Sequence, residues 1–194
     1  MRKNTGGIHL VLGVNPDVAV FSKAISNGFP MGAILGTPDV MQAVQMTFIS
    51  STCWTERIGP TAALATIRKY RRLHVGPRLT HQGLCIQAGW REAADAVGLK
   101  VHIGSPDLPA LSHITFDYPN GRAVKTLLCQ EMLDRGFLDN GGYYATYAHT
   151  DEIIEPYLAT ACEVFQVLAE AIEKDQVERR LRGPVGHSGF ARLT

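Results

Sequence analysis

Lys23 is the residue of this chain best placed for covalent chemistry. It stands between a short apolar run, Val18-Ala-Val-Phe21, and a glycine-punctuated loop, Asn27-Gly-Phe-Pro-Met-Gly32, that leads into a second apolar run ending at Gly36. Four apolar residues bounded by turn signals read as a buried parallel strand. Lys23 follows the carboxyl end of that strand, where open α/β sheets place their ligands. A lysine held there is expected to be partly desolvated, which favours the neutral amine over the ammonium. The neutral amine attacks aldehydes and forms Schiff bases. A solvated loop lysine without chemistry is the ordinary alternative, which composition alone favours and the surrounding residues oppose.

Other chemistries find less support. Gly186-His-Ser-Gly-Phe190 has a serine between glycines, but no strand precedes it and no acid or histidine follows Ser188 to complete a hydrolase triad. His9, His74, His81, His102, His113, His149 and His187 are scattered, with no pair of histidines at i, i+4 that would suit a metal. His149 is a candidate pocket residue beside Thr150. No Gly-x-Gly-x-x-Gly or Walker pattern occurs, so a nucleotide-binding loop is not expected. The glycines after Lys23 instead suit a tight backbone turn, with Pro30 fixing its shape. Arg57 could hold a carboxylate or phosphate bidentately, or fix its own loop by pairing with a carboxylate; both readings stay open.

The stretch Asn15-Pro-Asp-Val-Ala-Val-Phe-Ser-Lys-Ala-Ile-Ser-Asn-Gly-Phe-Pro-Met-Gly-Ala33 resembles the lysine region of class III aminotransferases, pyridoxal 5'-phosphate enzymes of fold type I. The shared pattern is Pro-Asp, an apolar strand, a small residue, Lys, and then Gly-x-Pro-x-Gly. A second stretch, Ser51-Thr-Cys-Trp-Thr-Glu-Arg-Ile-Gly-Pro-Thr-Ala-Ala-Leu64, resembles the family signature of a threonine five residues before the proline of an Ala-rich helix. Thr55 is the match. Tyr147-Ala-His-Thr-Asp-Glu-Ile-Ile-Glu155 and Gly183 to Leu193 resemble the glutamate-1-semialdehyde 2,1-aminomutase subgroup and its relatives.

The resemblance implies an α/β fold: the C-terminal part of a fold type I transferase, with the end of the large-domain sheet followed by a small α/β domain. It implies pyridoxal 5'-phosphate as cofactor, bound through a Schiff base to Lys23, and a small amine or amino-acid-like substrate. It also implies a homodimer in which Thr55 contacts the phosphate of the neighbouring subunit's cofactor. The activity implied is transfer of an amino group between molecules or its migration within one. A complete family member carries further residues upstream: a same-subunit phosphate loop, an aromatic that stacks on the ring, and an aspartate on the ring nitrogen. None has a match here, and Asp17 lies too close to Lys23 to replace that aspartate. The expectation is therefore the C-terminal part of an enzyme, with a non-catalytic fragment or interaction subunit as the alternative.

Length and composition fit this frame. The chain has 194 residues, 45% hydrophobic and 19% charged, as expected of a globular protein with a packed core. A formal net charge of +1 gives no reason to propose nucleic acid or an anionic membrane as partner. No apolar run approaches the length of a membrane span, and the first residues lack the apolar core of a signal peptide, so the cytoplasm is the expected compartment. Cys53, Cys85, Cys129 and Cys162 form no Cys-x-x-Cys pair and read as free, buried thiols.

Along the chain, residues 8–14 read as the end of a helix or a loop that turns at Gly13 and Asn15-Pro16. Strands are expected at 18–21 and 31–36, and a short helix at 38–44 with Thr37 as its N-cap. Helices follow over about 60–73 and 77–97, the second with an apolar stripe of Leu84, Ala88, Ala93 and Val97. Strands are expected at 99–103 and 111–116, then a helix at 123–135 closed by Gly136, and a third extended segment at 137–147. A last helix begins at Thr150 and runs to about Glu173. The implied domains are 1–75, the end of the cofactor-binding large domain with its linking helix, and 76–194, the small C-terminal domain.

Overall fold

The structure, a computed structural model, describes residues 2–53, 55–187 and 189. It divides into two units, Met1–Arg78 and Leu79–Thr194.

The first unit opens with a single helical turn, α1 (His9–Leu12), closed by Gly13 in the left-handed conformation with φ 67°. The apolar run then forms β1 (Val18–Ser22), which pairs antiparallel with β2 (Gly32–Gly36), Val20 facing Ile34 across the ladder. This corrects the expectation of a buried parallel strand. β1 and β2 form a two-stranded sheet, leaving Val20 69% and Ile34 58% exposed. An unbroken apolar run marks a strand without saying which way its neighbour runs or what covers it. Next come α2 (Pro38–Gln42), a 3-10 turn over Ala43–Met46, α3 (Ile58–Arg72), and the start of α4 (Val75–Ala96). Among the described residues of this unit only Ser26, Gly59, Ala63 and Gly76 are buried.

The second unit holds the hydrophobic core. Its sheet is antiparallel in the order β3 (Val101–Gly104), β4 (Leu111–Phe116), β5 (Gly142–Tyr144). Along β4, Ser112, Ile114 and Phe116 point inward while His113 and Thr115 are exposed, the alternation of a sheet with one covered face. Helix α5 (Gly121–Asp134) supplies Val124, Leu127, Leu128 and Met132 to the core, and α6 (Asp151–Glu173) supplies Ile154, Ala161, Val164, Phe165, Leu168 and Ala171. Phe165 meets Phe116 edge to face at 6.3 Å.

Of the expected stripe, Ala93 is buried and Val97, just past α4, packs against the core, but the other two positions face outward. Leu84 and Ala88 are exposed, whereas Gln82, Ile86, Gln87, Trp90, Ala93 and Ala94 are buried. The side-chain N–H groups of both glutamines are bonded, whereas Gln82 Oε1 is buried without a partner among the described residues. Gln87 donates to Ser112 Oγ at 2.7 Å, and Gln82 donates to the carbonyl of His149. Gly83 on the same face lies so close to Pro109 that an added Cβ would fall 2.0 Å from its carbonyl oxygen.

Helix ends follow the expected chemistry at their C-termini. Gly136, at φ 88°, closes α5 in a Schellman motif: its N–H donates to Leu133 O, and Phe137 N–H donates to Met132 O. Asp175, at φ 50°, does the same for α6 without a glycine. Thr37 and Thr150 occupy N-cap positions, but neither hydroxyl makes a capping bond. The extended segment expected over 137–147 narrows to the three residues of β5. The cysteines are free, and none is buried: Cys53 and Cys162 are exposed and Cys85 and Cys129 half-buried, so the expectation of buried thiols is corrected. Their packing faces are helix flanks and a loop, outside the cluster built by the large apolar side chains. No helix among the described residues is long and apolar enough to cross a membrane.

Candidate functional site

Lys23 begins a 3-10 turn, Lys23–Ile25, directly after the last residue of β1. Ser22 is fully extended (φ −153°, ψ −173°), and the chain then reverses into the left-handed region at Lys23, with φ 58°. A glycine adopts that conformation freely; a non-glycine residue there costs of order 1 kcal/mol and must be held by its surroundings. The loop that holds it is tied internally, because buried Ser26 donates its hydroxyl to the carbonyl of Phe29. Gly28 completes the reversal with φ 112°.

The side chain of Lys23 is exposed and makes no hydrogen bond or ion pair among the described residues. The expected partial desolvation is thus absent. Partial burial would need a sheet covered on its faces, and among the described residues β1 has only β2 beside it.

Helix α3 braces this turn. The 3-10 segment at Lys23 packs against α3, and Gly59 in its first turn sits so close to the lysine loop that an added Cβ would lie 3.1 Å from Pro30 O and 3.2 Å from Met31 Cβ. The backbone just ahead of α3 carries Thr55, exposed and without a hydrogen bond among the described residues. The following residue, Glu56, caps the helix. Its Oε1 accepts from Ile58 N–H and its Oε2 from Gly59 N–H at 3.2 Å, filling two of the donors that open a helix. Sequence reasoning missed this role, although an acid two residues before a helix is a legible signal. Arg57 forms no ion pair among the described residues, so its pairing with a carboxylate is not observed.

Lys23 and Thr55 therefore lie on two loops that meet through α3, with no described bond joining them. Their chemistry fits a phosphorylated aldehyde. An unpaired primary amine can condense with the carbonyl, and a free hydroxyl can donate to a phosphate oxygen.

His149 belongs to a separate cluster in the second unit. Its Nδ1 accepts from Thr146 N–H at 3.3 Å and lies 3.1 Å from Tyr143 Oη, and burial lowers its pKa. Burial, reinforced by the nearby Cys85, pushes the Tyr143 hydroxyl up to about 12. Ser188 and Phe190 of the Gly186–Phe190 stretch lie outside the described residues, as does Trp54 beside Thr55.

Residues 5–97, which contain both loops, match the model of the family described as aminotransferase class III. This segment, just under half of the chain, is similar to the class III aminotransferases. Relatives extend the likeness beyond it. The chain is 29% identical over 184 residues to glutamate-1-semialdehyde 2,1-aminomutase of Neisseria meningitidis, covering 87% of this chain and 43% of that protein. It is 26% identical over 162 residues to 2'-deamino-2'-hydroxyneamine transaminase of Streptomyces kanamyceticus, covering 81% of this chain and 41% of that one. Among solved structures, the FumI protein of Sphingopyxis sp. MTA144, in its PLP internal aldimine form, superposes with a TM-score of 0.77 at 21% identity, over 85% of this chain and 40% of that chain. The fold is accordingly α/β, the C-terminal part of the PLP-dependent transferase fold. The chain spans about two-fifths of the length of these relatives.

Proposed function

We propose that this chain contributes the lysine side of a pyridoxal 5'-phosphate site for amino-group transfer or migration. The observation that carries the reading is Lys23 itself. Its unpaired amine stands at the end of β1, on a backbone held at φ 58°, inside the segment that matches the class III family.

The amine of Lys23 is the group that condenses with the cofactor's aldehyde, and the hydroxyl of Thr55 is a donor for the cofactor phosphate. When bound, the cofactor supplies an electron sink for the bonds of the amine-bearing carbon. With the cofactor and a substrate amine bound, Lys23 Nζ would be the group to take a proton from the amine-bearing carbon and return it to the carbon on the other side of the amine nitrogen. The 3-10 turn limits where Nζ can reach by fixing the Cα of Lys23 to the strand end. The same reading includes a small amine or amino-acid-like substrate, a cytoplasmic setting and a homodimer in which Thr55 serves the neighbouring subunit's cofactor.

The test is spectroscopic. The full chain, mixed with pyridoxal 5'-phosphate and then with amine donors, should show a visible absorption band that shifts as the donor consumes the aldehyde form. Lys23→Ala should abolish the first band while leaving the circular dichroism spectrum unchanged. An unaltered band in Lys23→Ala would refute the assignment.

A second reading, a non-catalytic interaction subunit, is favoured by the sparse burial in the first unit and by exposed Val20, Ile34 and Leu35 on β1 and β2. It predicts cofactor binding only when another polypeptide covers these strands.

A further inference from the structure

The loop that carries Lys23 is closed twice. At its base, Ser22 stands opposite Gly32 in the ladder of β1 and β2. Inside the loop, Ser26-Asn-Gly-Phe29 makes a second closure. Asn27 and Gly28 have φ of 49° and 112°, the pair of positive values that marks a type I′ turn and that Asn-Gly favours. The backbone bond of this turn, from Phe29 N–H to Ser26 O, is long at 3.5 Å. The hydroxyl of Ser26 joins the same two residues again by donating to Phe29 O, a carbonyl with no other donor among the described residues. Ser26 is 1% exposed, so water does not replace that bond when the hydroxyl is removed.

The 3-10 turn Lys23–Ile25 runs between the two closures and ends on Ser26, its C-cap residue, at φ −108° and ψ 1°. Lys23 thus leaves a paired strand end and is led into a pinned turn, and the short path between them passes through φ 58° at the lysine itself. The far side of the turn has little freedom to move. Pro30 restricts Phe29 to extended backbone, and Pro30 O and Met31 Cβ lie against Gly59 of α3. Opening the 26–29 turn is therefore taken up on the lysine side, where the left-handed residue relaxes.

We propose that Ser26 is a positioning residue for Lys23: by closing the 26–29 turn, its hydroxyl holds the lysine backbone in the left-handed conformation and so aims Nζ. This rests on the reading of Lys23 given above. Aim matters for an aldehyde that is also held at a second point. An aldehyde bound through a phosphate meets Nζ from one side only, whereas acetaldehyde has no second anchor and reacts with an exposed amine wherever it points.

The experiment follows trapping of each aldehyde on each lysine of the full chain, by timed reduction with borohydride and peptide mass spectrometry. Ser26→Ala should slow trapping of pyridoxal 5'-phosphate at Lys23 about tenfold or more, with acetaldehyde at Lys23 and both aldehydes at exposed Lys69 unchanged. A second lesion of the same turn separates aim from a local effect of the serine. Asn27→Val, β-branched and opposed to positive φ, should reproduce the loss, and Asn27→Gly, which takes that conformation freely, should keep the parent rate. Parent rates for pyridoxal 5'-phosphate in Ser26→Ala or in Asn27→Val, or an equal fall for both aldehydes, would overturn the proposal. If the parent chain prefers Lys23 over Lys69 for pyridoxal 5'-phosphate and Ser26→Ala keeps that preference, the role of Ser26 falls alone. If the parent chain shows no such preference, the reading of Lys23 falls and the role of Ser26 falls with it.

Discussion

Removing the hydroxyl of Tyr157 should unlock the most connected polar junction of the second unit. That hydroxyl accepts from Trp90 Nε1 at 2.9 Å and donates to Asp139 Oδ2 at 2.6 Å. Trp90 is 1% exposed, so in Tyr157→Phe its N–H is left without an acceptor in a dry site. An unsatisfied buried donor costs about 1–3 kcal/mol, and a hydrogen bond to a charged group contributes about 1.5–3 kcal/mol. Asp139 keeps one partner, the N–H of Gly141 at 2.6 Å, which holds the second loss toward the lower end. The expected destabilisation is about 3 kcal/mol. The assay is urea unfolding followed by far-ultraviolet circular dichroism, which reads the parent and the Trp90→Phe variants alike. The double variant Trp90→Phe, Tyr157→Phe should lose less than the sum of the singles, because they share the bond. A loss below about 1 kcal/mol in Tyr157→Phe, or full additivity, would refute the reasoning.

Further expectations concern the same unit. Gly83→Ala places a Cβ 2.0 Å from Pro109 O, a backbone atom that cannot rotate away, and should cost about 3 kcal/mol in the same unfolding assay. Asp175→Gly, which relieves φ 50° at the end of α6, should gain about 0.5–1 kcal/mol and raise the melting temperature measured by circular dichroism. Raised pKa values at Tyr157 and Tyr143, the latter about 12, mean that the unfolded chain ionises first. Unit stability should therefore fall as pH rises above about 10, and Tyr143→Phe should flatten that slope between there and 12.

The parts of the fold set by local chemistry were readable in the sequence. Gly13 and Gly136 ended their helices because only a left-handed residue closes those turns without cost, and β4 showed its alternation at its full length. What failed depended on partners distant in sequence. The buried face of α4 carries Gln82 and Gln87, whose side-chain N–H groups find acceptors distant in sequence: the carbonyl of His149 for Gln82, and the hydroxyl of Ser112 with the carbonyl of Ser105 for Gln87. A reading by apolar character alone chose Leu84 and Ala88 instead. The direction of pairing at β1 was likewise invisible, because an apolar run does not reveal its neighbour. At the candidate site, Lys23 and Thr55 stood out through their motifs, whereas the capping of α3 by Glu56 emerged only from coordinates.

The most direct test of the central claim is to locate where the cofactor attaches. The full chain is incubated with pyridoxal 5'-phosphate, reduced with borohydride, digested, and its peptides weighed. The account predicts a single phosphopyridoxyl adduct on Lys23, in preference to Lys3, Lys69, Lys100, Lys125 and Lys174. Label spread over those lysines in proportion to their exposure, with no preference for Lys23, would contradict it.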